Sequence, residues 1–315
     1  MYIHILIIMK RVYFKCRNGM GDKLLDVLGG YVICKFMNFK LCVNFNPDTI
    51  NYPWGTNYYD ERLFLFEDIE LSSTNDCEYM IQSINPSASL CPYNTYQFLL
   101  KHLSSITFDE VSASFIECGA KIIKPSPLIE AKMPTELNLA HGIHLRSTDK
   151  VNNNGNNSHE NTNRDMAIIM KALLDDVDRI INVEKDPLFL IVSEDKEWKN
   201  SVTDIIKHKS SRVRFLEINY ETSESYENYE SVMDMFCLSR CKQIIQGVKY
   251  STYSILAVLI GEKKLVNYSN LLDCRDYCII HNWVPVLNTN IEFDIEKTKA
   301  TGSCAKKIIT NIEYN

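Results

Sequence analysis

Along the chain, stretches whose apolar residues alternate or run continuously are separated by stretches where they recur every three or four positions. Residues 11–16 (Arg-Val-Tyr-Phe-Lys-Cys) and 40–44 (Lys-Leu-Cys-Val-Asn) read as strands. Between them, Leu24, Leu25, Leu28, Val32, Ile33 and Phe36 are spaced for one buried face of a helix from about Lys23 to Phe39. Strand, glycine turn, helix, strand is how a Rossmann-like unit opens. Residues 45–60, with Pro47, Pro53, Trp54, Gly55 and several tyrosines, read as an aromatic-rich loop. Arg62–Glu67 alternates like a strand, 68–93 is polar and irregular, and Tyr96–Leu103 looks helical. Pro125, Pro127 and Pro134 punctuate 125–139, which reads as a linker.

Past that linker the two periods alternate regularly. In 141–146, Ile143 and Leu145 alternate with His144 and Arg146, so the strand has one apolar face and one ionisable face. Met166–Ile181 carries apolar residues at helical spacing throughout, with Asp175, Asp176 and Asp178 facing out. Leu188–Val192 is a continuous apolar run, as expected of a parallel strand covered on both faces. Helices are predicted over 197–207, 230–241 and 252–260, strands over 213–218, 243–246 and 264–268, and an acidic, aromatic loop over 219–229. The pattern predicts two α/β domains, residues 1–135 and 136–315.

The composition is that of an ordinary globular chain, with 45% hydrophobic and 23% charged residues among 315. A net charge of −6 argues against a general nucleic-acid binder. The eleven cysteines are scattered, and the i, i+4 pairs Cys237/Cys241 and Cys274/Cys278 suit a helix face better than a zinc knuckle, so reduced thiols and no structural metal are expected. Residues 2–9 are apolar but too short to span a bilayer, and they lack the basic start and cleavage site of a signal peptide. The expectation is a cytoplasmic protein without a membrane span.

Three places carry chemistry. In the first, Arg146, Asp149 and Lys150 sit where a strand opens into the asparagine loop 152–157, and two cations beside a turn suit a diphosphate. In the second, Gly19 and Gly21 permit close approach of a ligand to a helix N-terminus, with Asp22 beside them. The third spans 232–254. Asp234 is an acid within an apolar helix face; it needs hydrogen-bond donors, and guanine N1–H and N2–H2 would supply two. Ser251, Thr252 and Ser254 lie at a strand-to-helix turn, where hydroxyls and unpaired backbone N–H groups form a phosphate site.

Residues 144–151, His-Leu-Arg-Ser-Thr-Asp-Lys-Val, resemble the His-x-Arg-Arg-Thr-Asp-Lys-Val segment of the α1,6-fucosyltransferases. The run from Asp234 through Leu238-Ser239, a short strand and a Ser/Thr-rich turn is similar to the same superfamily, as is the glycine-rich opening. The resemblance implies a metal-independent, inverting fucosyltransferase of the GT-B type, with two Rossmann-like domains facing across a cleft. GDP-fucose would be the donor substrate, with no cofactor, and a glycan the acceptor. It implies that Arg146 holds the donor β-phosphate, that His144 lies near the nucleoside, and that Asp234 reads the guanine. Ser251 or Thr252 would hold the β-phosphate, and the pair Glu194 and Asp195 would support the arginine. For those two acids a simple helix N-cap is an equal alternative. The family's second arginine is Ser147 here, and the glutamate of its loop falls at Asn154. The Gly-Asp pair at 21–22 is also similar to heptosyltransferases, which implies Asp22 as general base; if Asp22 only caps its helix, Glu160 and Asp165, which follow the asparagine loop, are the other candidates. A heptose or rhamnose donor, or a non-catalytic nucleotide- or glycan-binding module, are the other readings.

Overall fold

The computed structural model describes residues 10–16, 19–47, 58–73, 76–83, 89–146, 160–247, 251–266 and 293–297. In chain order the elements are β1 (Arg11–Lys15), α1 (Met20–Met37), β2 (Lys40–Asn44), β3 (Phe64–Phe66), β4 (Ile69–Leu71), β5 (Tyr79–Ser83), α2 (Pro92–Leu100), α3 (Phe108–Ile122), β6 (Ile123–Pro125), α4 (Pro127–Lys132) and β7 (His141–Leu145). There follow α5 (Glu160–Val183), β8 (Leu188–Ser193), α6 (Lys196–Lys209), β9 (Arg214–Phe215), α7 (Tyr229–Arg240), β10 (Gln243–Gly247), α8 (Thr252–Gly261), β11 (Lys264–Val266) and β12 (Phe293–Lys297).

The chain divides into two compact units, the described parts of Met1–Glu61, Leu65–Lys124 and Val284–Asn315 in one and of Arg62–Phe64 and Pro125–Trp283 in the other. The unit boundary falls at 124/125, where the sequence pattern places a division at 135/136. The stretch read as a linker instead folds: Ser126 caps α4, whose Ile129 is fully buried, and Glu130 pairs with Arg240 at 3.1 Å. The carboxyl end also returns to the first unit, because β12 pairs antiparallel with β5.

The first unit holds a five-stranded sheet in the order β12-β5-β1-β2-β4. Its β1, β2, β4 and β5 are mutually parallel. Strands β4 and β5 lie within 68–93, which the polar pattern reads as irregular; β4, at three residues, is too short to show a period. Helix α3 falls in a stretch left unassigned from sequence. Thr107 starts it through a capping box with Glu110, and Val111, Phe115, Cys118 and Ile122 bury its inner face.

The second unit is a doubly wound sheet in the order β11-β10-β7-β8-β9, parallel throughout. Its core runs from β7, β8 and β10 onto α5 and α6 through Ile143, Leu145, Ile191, Leu173, Val177, Val202 and Ile206. Central β7 is buried at all five positions, so its ionisable face is covered and not exposed as alternation alone suggests. Gly142 permits this: a Cβ there would lie 2.8 Å from Leu238 Cδ2 and 3.2 Å from Cys241 Sγ, so α7 packs directly on the strand. Among the described residues, eight cysteines are buried and outside any disulfide, and no helix is long and apolar enough to cross a membrane.

Candidate functional site

In a doubly wound sheet, ligands gather at the carboxyl ends of the two strands between which the chain order reverses. In the second unit those strands are β7 and β10, neighbours that are followed by structure on opposite sides. The residues expected to carry chemistry converge there. Arg146 is the first residue beyond β7 and is half-buried. His144, one position inside the strand's end, is 6% exposed, and burial together with the Arg146 charge pushes it down to about 3. It is therefore a neutral imidazole at physiological pH. Its Nδ1 is hydrogen-bonded to Ser254 Oγ at 2.6 Å, and its ring stacks on Tyr253 at 4.8 Å between centroids. The Tyr253 hydroxyl in turn donates to the Ser231 carbonyl at 2.7 Å, tying α8 to α7.

Beyond β10 lies Ser251, the N-cap of α8, whose side chain makes no cap hydrogen bond. Ser251 is fully buried and its Oγ has no hydrogen-bond partner. Thr252 and Ser254 are buried beside it. A helix N-terminus already presents backbone N–H groups and a partial positive charge. The orphaned buried hydroxyl of Ser251 lies beside it, and Arg146 follows the adjacent strand β7. Such a grouping of donors is complementary to an anion with several oxygens.

Asp234 lies in the middle of α7 and is 9% exposed. Burial pushes its carboxyl up to about 7, although a hydrogen bond from Tyr220 opposes the shift. Tyr220 Oη donates to Asp234 Oδ1 at 2.5 Å. This partner comes from the loop after β9, the acidic, aromatic segment expected to overlie the site. Neither Tyr220 nor Tyr253 is among the residues singled out from sequence, because aromatic residues within a loop or between hydroxyls give no periodic signal.

The two acids after β8 separate. Asp195 is the N-cap of α6, its Oδ1 accepting from the Trp198 N–H at 2.9 Å, and Glu194 is exposed. The capping alternative holds for Asp195, since a carboxylate at this position satisfies an N–H that has no partner within the helix. Lys150, Ser147, Thr148, Asp149 and Asn154 lie outside the described residues, as do the side chains of Glu160 and Asp165.

The first unit reverses its strand order between β1 and β5. Gly19 is the N-cap of α1, with φ −76° and no atom within 4 Å of the place a Cβ would take. The backbone does not require glycine there, so the open space is available to a ligand. The helix begins at Met20, not Lys23; Gly21 and half-buried Asp22 are thus in its first turn, and Asp22 is not the cap. Lys23 fastens this turn. It is fully buried, and its Nζ donates to the Phe45 carbonyl at 2.6 Å and Asn46 Oδ1 at 3.4 Å. Burial lowers its pKa. Asn46 Nδ2 donates to the Tyr59 carbonyl at 2.8 Å, and the Tyr59 hydroxyl accepts from the Met20 N–H at 3.1 Å. The turn is thus held by a polar network invisible in the helical period, since Lys23 reads as a solvent-facing residue in any amphipathic pattern.

No family model matches the chain, and no curated protein matches it. Solved structures to which it is similar include NodZ alpha-1,6-fucosyltransferase soaked with GDP-fucose, at 12% identity and TM-score 0.48 over 84% of this chain and 96% of that one. Another is Arabidopsis thaliana FUT1 with GDP, at 10% identity and TM-score 0.49 over 82% and 69% of the two chains. A third is POFUT1 with GDP-fucose, at 10% identity and TM-score 0.42 over 81% and 94%.

Proposed function

We propose that the chain is an inverting glycosyltransferase that moves fucose from GDP-fucose to a glycan hydroxyl. The observation that carries this reading is the orphaned, fully buried Ser251 hydroxyl at the uncapped start of α8, with Arg146 ending the adjacent strand. Together they form a donor-rich seat for a diphosphate. The motif resemblance at 144–151 and 234–254 supplies the nucleoside. His144, neutral and stacked on Tyr253, would lie beside it, and Asp234 would accept from the guanine N1–H and N2–H2.

In this reaction an acceptor oxygen attacks the anomeric carbon of fucose as the bond from that carbon to the β-phosphate oxygen breaks. The acceptor proton passes to a carboxylate, for which Asp22 is proposed, and GDP leaves with the electron pair. Arg146, helped by Lys150 and the N–H groups around Ser251, would neutralise the charge that develops on the diphosphate.

The test is to supply GDP-fucose and follow GDP release with and without glycan acceptors, beside a thermal-shift series of GDP, UDP and ADP. Stabilisation by GDP with turnover is the expected result. Selectivity for uridine or adenosine would move the donor to another sugar, a heptose or rhamnose. Stabilisation by GDP with neither transfer nor hydrolysis would identify a non-catalytic binding module, the reading that Ser147 and Asn154 favour, since both stand where the family carries functional side chains.

A further inference from the structure

Asp234, the carboxylate proposed to read the guanine, is already engaged by another part of the chain. Asp234 Oδ1 accepts the Tyr220 hydroxyl at 2.5 Å, and the pair lies between α7 and the segment following β9. A guanine read through N1–H and N2–H2 needs both carboxylate oxygens along one open edge. Asp234 is 9% exposed, and one of its two oxygens already accepts from Tyr220.

The covering segment has no regular structure of its own. From Leu216 to Asn228 it contains no helix or strand. It is fastened from outside by the exposed Arg62, which pairs with Glu224 at 3.4 Å and lies 4.7 Å from the Tyr226 ring, and by the Lys132 ammonium on the Glu221 carbonyl. Solvent-exposed ties of this kind hold weakly. Beside them is a cavity of about 420 Å³ lined by Tyr220, Thr222, Glu224, Tyr226, Asn228 and Tyr229 among others. Tyr220 is a wall of this cavity, so its ring has empty volume to turn into.

We infer that Tyr220 is a gate on the base-reading carboxylate: its hydroxyl holds Asp234 when no nucleotide is bound and must swing aside before guanine can take both oxygens. This rests on the reading of Asp234 as the guanine contact. Tyr220 then sets the nucleotide affinity as a competitor and not as a ligand contact. By occupying the carboxylate it also keeps a buried acid from being left without a donor.

The experiment is calorimetry of GDP and UDP on the whole chain as wild type, Tyr220→Phe and Asp234→Asn. With the competing hydrogen bond removed, Tyr220→Phe should bind GDP about tenfold more tightly while UDP is unchanged, the fold expected for a hydrogen bond to a charged acceptor. Unchanged or weaker GDP binding by Tyr220→Phe, in a protein that still prefers GDP to UDP, overturns the gate and leaves the base reading standing. If Asp234→Asn loses GDP and UDP equally, the base reading itself fails, and the gate with it. Stopped-flow mixing of wild type with GDP gives a measurement independent of any variant. The observed rate should level off at high GDP, where opening limits binding, and a rate that stays linear overturns the gate.

Discussion

Each sheet reverses its strand order at the place where an α/β protein is expected to bind its ligand, and the two places are furnished in different ways. At the second, between β7 and β10, side chains crowd in: Arg146, His144, Ser251, Ser254 and Tyr253 are half-buried or buried, and one hydroxyl lacks a partner. At the first, around the start of α1, the side chains of Lys23, Asn46 and Tyr59 are spent on holding the turn itself. Gly19 faces nothing within 4 Å, and the only acid in the first helical turn is Asp22. A crowded donor-rich end suits a ligand held firmly by its charge. An open end with a carboxylate in its first helical turn suits one that is exchanged and deprotonated.

The comparison is broken most severely by Asp22→Asn. If the open end does the proton chemistry, turnover of GDP-fucose should fall about 10²–10⁴-fold while the GDP dissociation constant is nearly constant. Near-normal turnover, measured beside calorimetry, would strip the first unit of its proposed role and send the search for a base to Glu160 or Asp165. Next in size is Arg146→Ala. A charge-assisted pair to phosphate contributes ~1.5–3 kcal/mol, so GDP affinity should drop on the order of ten- to hundredfold. Unchanged GDP binding in that variant would remove the phosphate from the crowded end.

Titration sharpens the contrast, because the buried ionisable groups of the two ends lose their effect in different pH windows. Asp234 is raised from 3.8 to about 7. Between those values the folded chain keeps a proton that the unfolded chain has released, so this contribution to stability is lost as pH rises toward 7. His144, depressed from 6.5 to about 3, works in the opposite sense: its contribution is present above 6.5 and is lost as pH falls toward 3. Lys23, depressed by burial from 10.5, contributes most above 10.5 and less as pH falls. Urea unfolding between pH 4.5 and 7.5 should therefore give a steeper rise of stability with pH in Asp234→Asn than in wild type. Superimposable profiles would mean that Asp234 titrates as an ordinary acid.

The smallest effect is the most discriminating. Ser251→Ala removes a hydroxyl with no internal partner, so stability should be unchanged or slightly raised while GDP affinity falls roughly two- to tenfold. Asp195→Ala, which loses a helix cap, should instead lower stability by ~1 kcal/mol and leave GDP binding alone. Melting temperature and calorimetry on the pair separate a hydroxyl kept for a ligand from a carboxylate kept for a helix.

What the sequence makes legible follows the same division. The strand-helix alternation of 141–268 predicts the parallel sheet because continuous apolar runs such as Leu188–Val192 have few other uses. The ends of those strands predict the crowded site. Burial of His144 is not legible, because alternation tells which face a side chain is on and not what covers that face; Tyr253 and Ser254 of α8 cover it. The first unit is less readable. Its strand β4 is only three residues long, β5 lies in an otherwise polar stretch, and the groups that fasten its turn, Lys23 and Asn46, act through carbonyls that leave no periodic mark. Tyr220 is hidden for a related reason, since a tyrosine in an acidic loop looks like surface until the loop is folded over Asp234.

Strand β12 has a consequence for how the molecule is made. It pairs along β5 from Tyr79 to Ser83, yet it leaves the ribosome about 210 residues after that partner. At roughly 5–20 residues per second, β5 waits about 10–40 s with one flank bare. In that interval the described strands of the other sheet, β7 to β11, have already emerged. The sheet synthesised first is therefore the sheet completed last, and a nascent chain stalled before residue 293 would carry a β5 with one flank unpaired, open to unwanted pairing with other chains.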